Sequence, residues 1–215
     1  RTLNRGAFQM RNLLETVNIT PTIVQRSSLD RQWSGRNENS PFAKIYHILE
    51  GKGFVTHSHH QFDLTPGKSY LIPPMSKVSF GCSESIKIFW FHFTATILNS
   101  VNLFDVYPCS YELPPDSAED VHQSLSRLLA AEKDRSAAGV LTAKGEALRL
   151  VAKFFWKTRL SEDDENQRLL LRFKRVLDYL DNHLSHEIRV ETLAKMAGFE
   201  RSYFSVLFKK TFALP

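Results

Sequence analysis

Cysteine is scarce in this sequence, and no apolar run is long. The 215 residues contain only Cys82 and Cys109, which are too few for a disulfide framework and do not form a CxxC pair. No apolar run approaches the roughly 18 residues that a membrane span needs, and we expect no signal peptide at either end. The sequence therefore predicts a reduced, cytoplasmic location and no membrane partner.

The composition is that of a globular chain with a mildly basic balance. Hydrophobic residues make up 42% of the chain, and the formal net charge is +5. This length and apolar content allow a buried core and indicate two domains. The net charge fits a nucleic-acid partner without requiring one. From residue 189 onward only Glu191 and Glu200 oppose a set of basic residues: Arg189, Lys195, Arg201, Lys209 and Lys210.

The segment from Pro41 to about Phe93 has a strong β signal. It contains several short runs rich in β-branched and aromatic residues, separated by glycine and proline. Because such a pattern is typical of a barrel or sandwich, residues 1–110 are predicted to form a β-barrel. The polar composition of Ser27–Ser40 indicates a loop, and Glu50–Gly53 indicates the end of a strand.

Residues 111–160 change to a helical period and are predicted to form a helical pair. The first helix has an apolar stripe of Val121, Leu125, Leu128 and Leu129. The second is predicted to run to about Lys157 with a larger apolar side: Leu141, Ala147, Leu148, Val151, Phe154 and Phe155. This surface allows either a dimer contact or intramolecular packing. Charged residues 161–167 predict a linker, and 168–215 an all-helical region.

The most informative stretch lies near the C-terminal end. Val190–Ala197 and Arg201–Thr211 are predicted to be two short helices joined by a tight turn. Gly198 is placed to end the first helix in the left-handed backbone that glycine favours. The apolar positions recur at i, i+3, i+4 spacing, as Leu193, Met196 and Ala197 in the first helix and Phe204, Leu207 and Phe208 in the second.

Small residues between these helices indicate a helix-turn-helix. Ala194 would face the second helix where the two cross closely, and Phe199 would fill the angle between them. In this motif the second helix enters the major groove of DNA. Its outward positions are candidate contacts to base edges and phosphates: Arg201, Ser202, Ser205, Val206, Lys209 and Lys210. An ordinary helical hairpin within a core is the alternative.

The β region is similar to the cupin barrel, which often binds a metal through three histidines and a glutamate. Gly51 and the pair His57 and His59 match the opening of the first cupin motif, but no glutamate follows at the required spacing. In the better alignment Lys44 takes the glutamate position and Val78 that of the last histidine, so all four ligands are missing. We therefore predict no metal, no cofactor and no catalytic residue. The histidines of the hairpin tip are expected to be exposed and to converge on nothing: His57, His59 and His60.

Alternation along the strands predicts which side chains face the barrel interior. On the last strand one face carries Ile86, Ile88, Trp90 and His92. A ring such as Trp90 can stack on the C–H face of a sugar, while Arg36, Lys44 or His92 hydrogen-bond its hydroxyl groups. For each aromatic ring, core filling is an equally good interpretation.

A barrel without its metal, a helical pair, a linker and a helix-turn-helix together resemble the AraC/XylS family of transcription regulators. The similarity covers nearly the whole chain and is strongest in four segments: Tyr46–Gly51, Pro66–Pro74, Trp90–Phe93 and Leu193–Lys210. It implies a cytoplasmic regulator whose barrel binds a small effector, commonly a sugar, and dimerises. The family has two helix-turn-helix units, and this sequence stops at Pro215 after the first, so we expect the second to have been cut away.

The resemblance also implies roles for single positions. Trp90 matches a sugar-contacting position of the family, Phe80 matches an aromatic one, and Arg36 lies within a residue of a sugar-binding arginine. Ile88 replaces a polar pocket residue, so the same ligand is not implied. The candidate effector residues are Arg36, Lys44, Tyr46, Phe80, Ile88, Trp90 and His92. The base-contacting positions of the family fall on Ser202, Ser205 and Val206.

The fold expected from the sequence is α+β: a cupin-like β-barrel, a helical pair and a truncated all-α helix-turn-helix region. The leading hypothesis is a ligand-responsive transcription regulator. Its expected partners are double-stranded DNA, a sugar-like effector, a second copy in a homodimer, and RNA polymerase. Two alternatives stay open. One is a cupin enzyme, such as a sugar isomerase or oxygenase, with a helical appendage. The other is a metal-independent sugar-binding module whose helix-turn-helix serves only protein contacts.

Overall fold

The computed structural model describes residues 13–57, 59–159, 164–184 and 187–212. Within these ranges the chain has a mixed fold of strands and helices. The strands are β1 Asn18–Asp30, β2 Ser34–Glu38, β3 Ala43–His57, β4 His60–Leu64, β5 Ser69–Ile72, β6 Val78–Ile97, β7 Val101–Asn102 and β8 Glu112–Leu113. The helices are α1 Leu103–Val106, α2 Ala118–Lys133, α3 Ala137–Ala152, α4 Glu165–His183, α5 Val190–Ala197 and α6 Arg201–Thr211.

The chain divides into two compact units. One, the sheet unit, comprises Ile19–Ala95 and Pro108–Thr158. The other, the helical unit, comprises the described parts of residues 1–18, 96–107 and 159–215. Helix α4 begins at Glu165, inside the predicted linker 161–167, and the domain boundaries proposed from the sequence stay predictions.

The strands form one large sheet in the order β1-β6-β3-β5-β8, with β2 and β7 also paired to β6 and β4 paired to β3. Every pairing whose register is described is antiparallel. The long β3 and β6 pair along most of their length, from Ala43 opposite Phe93 to Thr56 opposite Ser79. Closure of this sheet into a barrel stays a prediction.

Two segments expected to be irregular are strands, so those predictions are wrong. The polar segment 27–40 contains the end of β1 and all of β2. Its polar side chains are compatible with strands because most of these residues are exposed. Glu50–Gly53 does not end a strand either, since β3 continues through it with shifts of register against β6. Such bulges bend a strand without ending its pairing.

The two faces of the sheet have different surroundings. One face carries a buried apolar cluster that includes Tyr46, Ile48 and Ile88, and it is called the inner face below. The alternate residues of the same strands, among them Phe89 and Phe91, are also buried. Helix α2 lies against this second face, because the ring of His122 on α2 lies 5.7 Å from that of Phe89.

A network of polar side chains joins α2 to the second face of the sheet. His47 Nδ1 lies 2.9 Å from the hydroxyl oxygen of Ser69, and its ring lies 5.7 Å from that of His122. The Arg26 guanidinium lies 3.2 Å from His122 Nε2 and donates to the Ser126 hydroxyl at 3.0 Å. These contacts connect α2 with β1, β3 and β5 through polar side chains.

Helices α2 and α3 form the predicted pair and are joined by ion pairs. Arg127 Nε donates to Glu146 Oε1 at 2.7 Å, and Asp120 pairs with both Arg149 and Lys153. The apolar side predicted for α3 is partly wrong: Ala147, Val151 and Phe154 are buried, but Leu141 and Leu148 are exposed. The α-helix also ends at Ala152 rather than near residue 157 and is followed by a short 3-10 turn.

In the helical unit, α5 and α6 have the predicted limits. Their core contains Phe173 and Val176 of α4 together with Leu193, Ala194, Ala197 and Phe204. Met196 was expected on the apolar face of α5 but is 37% exposed. Ala194, which was expected to face the second helix, is buried. An alanine there lets α5 approach its neighbours closely. Phe199 packs against the same core, as predicted.

Gly198 ends α5 with a φ of 73°. The amide of Phe199 donates to the Ala194 carbonyl at 2.9 Å, and that of Gly198 donates to the Lys195 carbonyl at 3.1 Å. These bonds satisfy carbonyls at the helix end. A Cβ at Gly198 would meet no atom within 4 Å, so the requirement for glycine is one of backbone conformation.

We predict that Gly198→Ala lowers the free energy of unfolding of the helical unit by about 1–2 kcal/mol, because a side chain disfavours the left-handed backbone. Gly145 in the middle of α3 is the matched control, since a Cβ there also meets nothing within 4 Å. Gly145→Ala should instead stabilise the sheet unit by about 0.5–1 kcal/mol. Urea unfolding followed by circular dichroism measures both. If both substitutions changed the free energy of unfolding in the same direction, this account of the turn would be contradicted.

Candidate functional site

Cross-strand pairing places most of the predicted effector residues on the inner face. Directly opposed residues of antiparallel strands project from the same side of a sheet. The relevant pairs between β3 and β6 are Lys44 with His92, Tyr46 with Trp90, and Ile48 with Ile88. Phe80 of β6 packs against the same apolar cluster. The structure therefore brings together six of the seven predicted residues, with Arg36 apart.

Lys44 is the buried cation of the inner face. Only 9% of it is exposed, and it lies between Ile72 of β5 and His92 of β6. Burial lowers the pKa of Lys44, while the nearby Glu38 charge raises it in part. Within the described ranges its ammonium group has no ion-pair partner. The Lys44 side chain is thus mostly buried, and its ammonium group can donate to a ligand.

Two further donors lie beside Lys44. Burial raises the pKa of the Tyr46 hydroxyl, and the charge of Glu38 acts in the same direction, so this hydroxyl keeps its proton. Burial lowers the pKa of His92 to about 4, with a contribution from the positive charge of Lys44. His92 is therefore neutral near pH 7 and offers one donor and one acceptor nitrogen.

Sequence reasoning missed Glu38, the acidic group of this site. Its carboxylate lies against the backbone of Gly35 and near the Phe80 ring, since a Cβ at Gly35 would collide with both. Glu38 is exposed on β2 and pairs with Val78 of β6. Glu38 was missed because the polar segment around it suggested a loop. Its place beside the inner face depends on the pairing of β2 with β6, which is distant in sequence.

Aromatic rings border the polar groups. The Trp33 ring, also missed from the sequence, lies 4.8 Å from that of Phe80 and 6.1 Å from that of Tyr46. The rings of Trp90 and His92 are 4.6 Å apart, and Trp90 Nε1 donates to the Ser27 hydroxyl at 2.8 Å. This hydrogen bond fixes the indole ring. The site thus combines flat apolar surfaces with a cation, an anion and neutral donors.

One predicted effector residue lies apart from the other six, and one of those six is apolar core. Arg36 is exposed on β2, so it does not join the buried groups. Ile88 is only 1% exposed and is part of the apolar cluster. The effector role of each residue stays a prediction.

The outward side of α6 carries the predicted DNA-contacting residues. Val206 is 68% exposed, and Arg201, Ser202, Lys209 and Lys210 are also exposed. Arg201 pairs with Glu191 of α5 at 2.8 Å. An exposed ion pair of this kind is worth only about 0.2–1 kcal/mol, so Arg201 could exchange it for a phosphate at little cost.

The serines of α6 bond within their own helix. The Ser202 hydroxyl donates to the Glu200 carboxylate at 3.1 Å, and the Ser205 hydroxyl donates to the Arg201 carbonyl at 2.9 Å. Each hydroxyl still has acceptor capacity. The structure places all six predicted residues on one helix, and their contact with DNA stays a prediction.

Comparison with known proteins identifies the family. A family model described as the AraC-like ligand binding domain matches residues 24–151, which is more than half of the chain. The chain belongs to the AraC-like ligand-binding domain family. The matched residues include β2 to β6, and thus the whole inner face described above.

A curated relative of this AraC-like domain protein is the Msm operon regulatory protein of Streptococcus mutans serotype c. The two are 24% identical over 174 residues, which cover 78% of this chain and 62% of the relative. The chain thus spans less than two thirds of the relative's length.

Solved structures similar to the AraC-like domain protein overlap with it only in part. Ethanolamine utilization protein Q from Salmonella typhimurium is 19% identical, over 36% of this chain and 68% of that one, with a TM-score of 0.28. A cupin superfamily protein from Desulfitobacterium hafniense is 21% identical, over 35% and 74%, with a TM-score of 0.29.

The histidines at the β3–β4 hairpin of the AraC-like domain differ from expectation. His57 was predicted to be exposed, but it is 2% exposed, because its ring packs between Phe62 at 5.3 Å and Tyr111 at 4.9 Å. The ring of His60 lies 6.2 Å from it. In the described part of the chain, no group of three or more His, Cys, Asp or Glu residues is arranged to hold a metal.

Of the helices that the structure describes, none combines the length and the apolar character needed to cross a membrane.

The AraC-like domain should lose stability at mildly acidic pH. Burial lowers the pKa of three histidines of the sheet unit to about 4, with contributions from His122, His60 and Lys44: His47, His57 and His92. The ordinary value is 6.5, so below pH 6.5 the unfolded chain binds protons that the folded chain does not. Stability should fall as the pH drops from 6.5 toward 4.

Urea unfolding at a series of pH values measures this dependence. His92→Gln should make the decline shallower, because one buried neutral histidine is removed. His59→Asn is the matched control, because His59 is exposed and its φ of 68° suits asparagine. Equal stability at pH 7.5 and pH 5 would contradict the prediction.

Proposed function

We propose that this chain is the effector-binding and DNA-contacting part of a ligand-responsive transcription regulator. One observation supports this most: an AraC-like ligand-binding domain with polar and aromatic groups on its inner face occurs in the same chain as α5 and α6. The curated relative is named as an operon regulatory protein. A regulator needs both a site that senses a molecule and a surface that meets DNA.

The groups of the inner face suit a small polyhydroxylated effector such as a sugar. Lys44, Tyr46 and His92 offer donors, and Glu38 offers acceptors for hydroxyl groups. Trp33, Phe80 and Trp90 offer rings on which the C–H face of a sugar can stack. Lys44 and Glu38 have opposite charges and act on each other electrostatically, so a neutral ligand with several hydroxyl groups could donate to one and accept from the other.

Binding without catalysis is the role that we propose. Lys44 occupies the position of the glutamate ligand in the cupin pattern, and its positive charge would repel a metal cation. The ligand-binding energy would then shift a population between arrangements that already exist in the free protein.

The outward side of α6 is proposed to enter the major groove of DNA. Lys209 and Lys210 would reach phosphates, Val206 would contact a thymine methyl group, and the serines would offer hydrogen bonds to base edges. Such a surface has few strong base contacts. Sequence-specific affinity would therefore depend on a second copy of the chain. A protein with this role acts in the cytoplasm on DNA that RNA polymerase transcribes.

A second copy could be bound through α3. Four positions on its outward side recur at i, i+4, i+7 and i+11, and all are exposed: Leu141, Gly145, Leu148 and Ala152. Leu141 is 70% exposed and Leu148 is 44% exposed. Apolar and small residues at this spacing fit a helix–helix seam, which supports the proposed homodimer.

The proposal predicts that charge reversal on α6 weakens DNA binding. Lys209→Glu combined with Lys210→Glu should reduce affinity for DNA from the protein's own upstream region by roughly tenfold or more, because two phosphate contacts become repulsive. The control is Lys52→Glu with Lys133→Glu, two exposed lysines of the sheet unit, which should change affinity far less. Gel shifts at several salt concentrations measure both.

Two results would contradict the proposal. If the protein shows no sequence preference for its upstream DNA, it is not a specific DNA-binding regulator. If both double variants keep the original affinity, α5 and α6 serve protein contacts instead, as in the binding-module alternative.

A further inference from the structure

The helical unit has a groove that the proposed regulatory function does not use. It lies between α4 and α6 and has a volume of about 440 Å³, which falls within the 300–1,000 Å³ typical of small-molecule sites. Three partly buried side chains give it an apolar wall: Leu169 of α4, Phe199 of the turn and Leu207 of α6. Tyr203, one turn before Leu207, adds a second ring and is 56% exposed.

The α4 side of the groove is charged. Glu165, Arg168 and Arg172 line it together with Leu169, because positions i, i+3, i+4 and i+7 share one side of a helix. This side of the groove thus carries guanidinium groups as well as the carboxylate of Glu165. The Arg172 guanidinium carbon lies 5.1 Å from the centre of the Phe199 ring, so this cation is held beside the apolar wall.

This combination favours one class of ligand. A guanidinium group matches a carboxylate with two parallel hydrogen bonds, and this pairing is stronger than a neutral hydrogen bond. The Phe199 and Tyr203 rings favour a flat apolar body, which loses contact with water as it packs. A neutral polyol would neither pair with the Arg172 guanidinium nor cover the two rings.

We propose that this groove binds a small monocarboxylate with a flat apolar body, its carboxylate on Arg172 and its body against Phe199, Tyr203 and Leu207. The site is separate from the inner face of the sheet and takes a different chemical class. The residues of α6 that line it, Tyr203 and Leu207, alternate along the helix with Ser202, Ser205 and Val206 on the outward side. A bound acid would brace α6 against α4 and so restrict the motion of the helix proposed to meet DNA.

Naphthylacetate is a suitable probe, with naphthylacetamide as its neutral counterpart. Calorimetric titration of the 215-residue chain should show saturable binding of the acid and roughly tenfold weaker binding of the amide. Arg172→Gln should weaken acid binding roughly tenfold. Arg172→Lys keeps the positive charge but loses the two parallel hydrogen bonds of the guanidinium group, so it should weaken binding less. Arg175→Gln is the matched control, since Arg175 is exposed on α4 and does not line the groove.

The position of the bound acid and the folding of each variant are measured in the same samples. Nuclear Overhauser effects from the naphthyl protons to the Leu169 and Leu207 methyl groups would support the site. Circular dichroism of each variant shows whether α4 to α6 stay folded. If Arg172→Gln is unfolded, the binding affinity of Arg172→Lys is used instead. The proposal is overturned by any of three results: no saturable binding at millimolar acid, equal losses in Arg172→Gln and Arg175→Gln, or contacts only to methyl groups of the sheet unit. Because no DNA is involved, these results are independent of the proposed regulatory function.

Discussion

The long antiparallel pairing of β3 with β6 is the constraint on which the sheet unit depends. It fixes the cross-strand pairs Lys44 with His92 and Tyr46 with Trp90, and thereby the composition of the inner face. A shift of one residue would exchange the two faces of a strand. It would bury the alternate set, Ile45 and His47, against the inner cluster. Bulges near Gly51 let the two strands keep this pairing over an unusual length.

The inner face departs from a simple apolar core in one way: it contains a buried charge. Burying an ammonium group costs free energy unless it is paired, and within the described residues Lys44 has no ion pair and is stabilised by the charge of Glu38. Proteins tolerate such departures mainly at functional sites. This argument supports the inner face as a binding site without reference to any relative.

Local features were predictable from the sequence, while features that depend on long-range pairing were not. The limits of α5 and α6 follow from apolar spacing and from Gly198, which act within a few residues. The shared face of Ile88, Trp90 and His92 follows from alternation along one strand. Glu38 and the burial of His57 were missed, because each depends on a neighbour far away in sequence: β6 for Glu38 and Tyr111 for His57.

The most direct test of the central claim is the stability of the ligand-free Lys44→Met variant. If Lys44 is kept for a ligand, its replacement by an apolar side chain of similar length should raise the free energy of unfolding by about 1 kcal/mol or more. Lys52→Met, at an exposed position of the same strand, should stay within about 0.5 kcal/mol of the original chain. Urea unfolding at pH 7.5 measures both. A loss of stability in Lys44→Met would show that the lysine serves the fold, and would contradict the assignment of the inner face as the effector site.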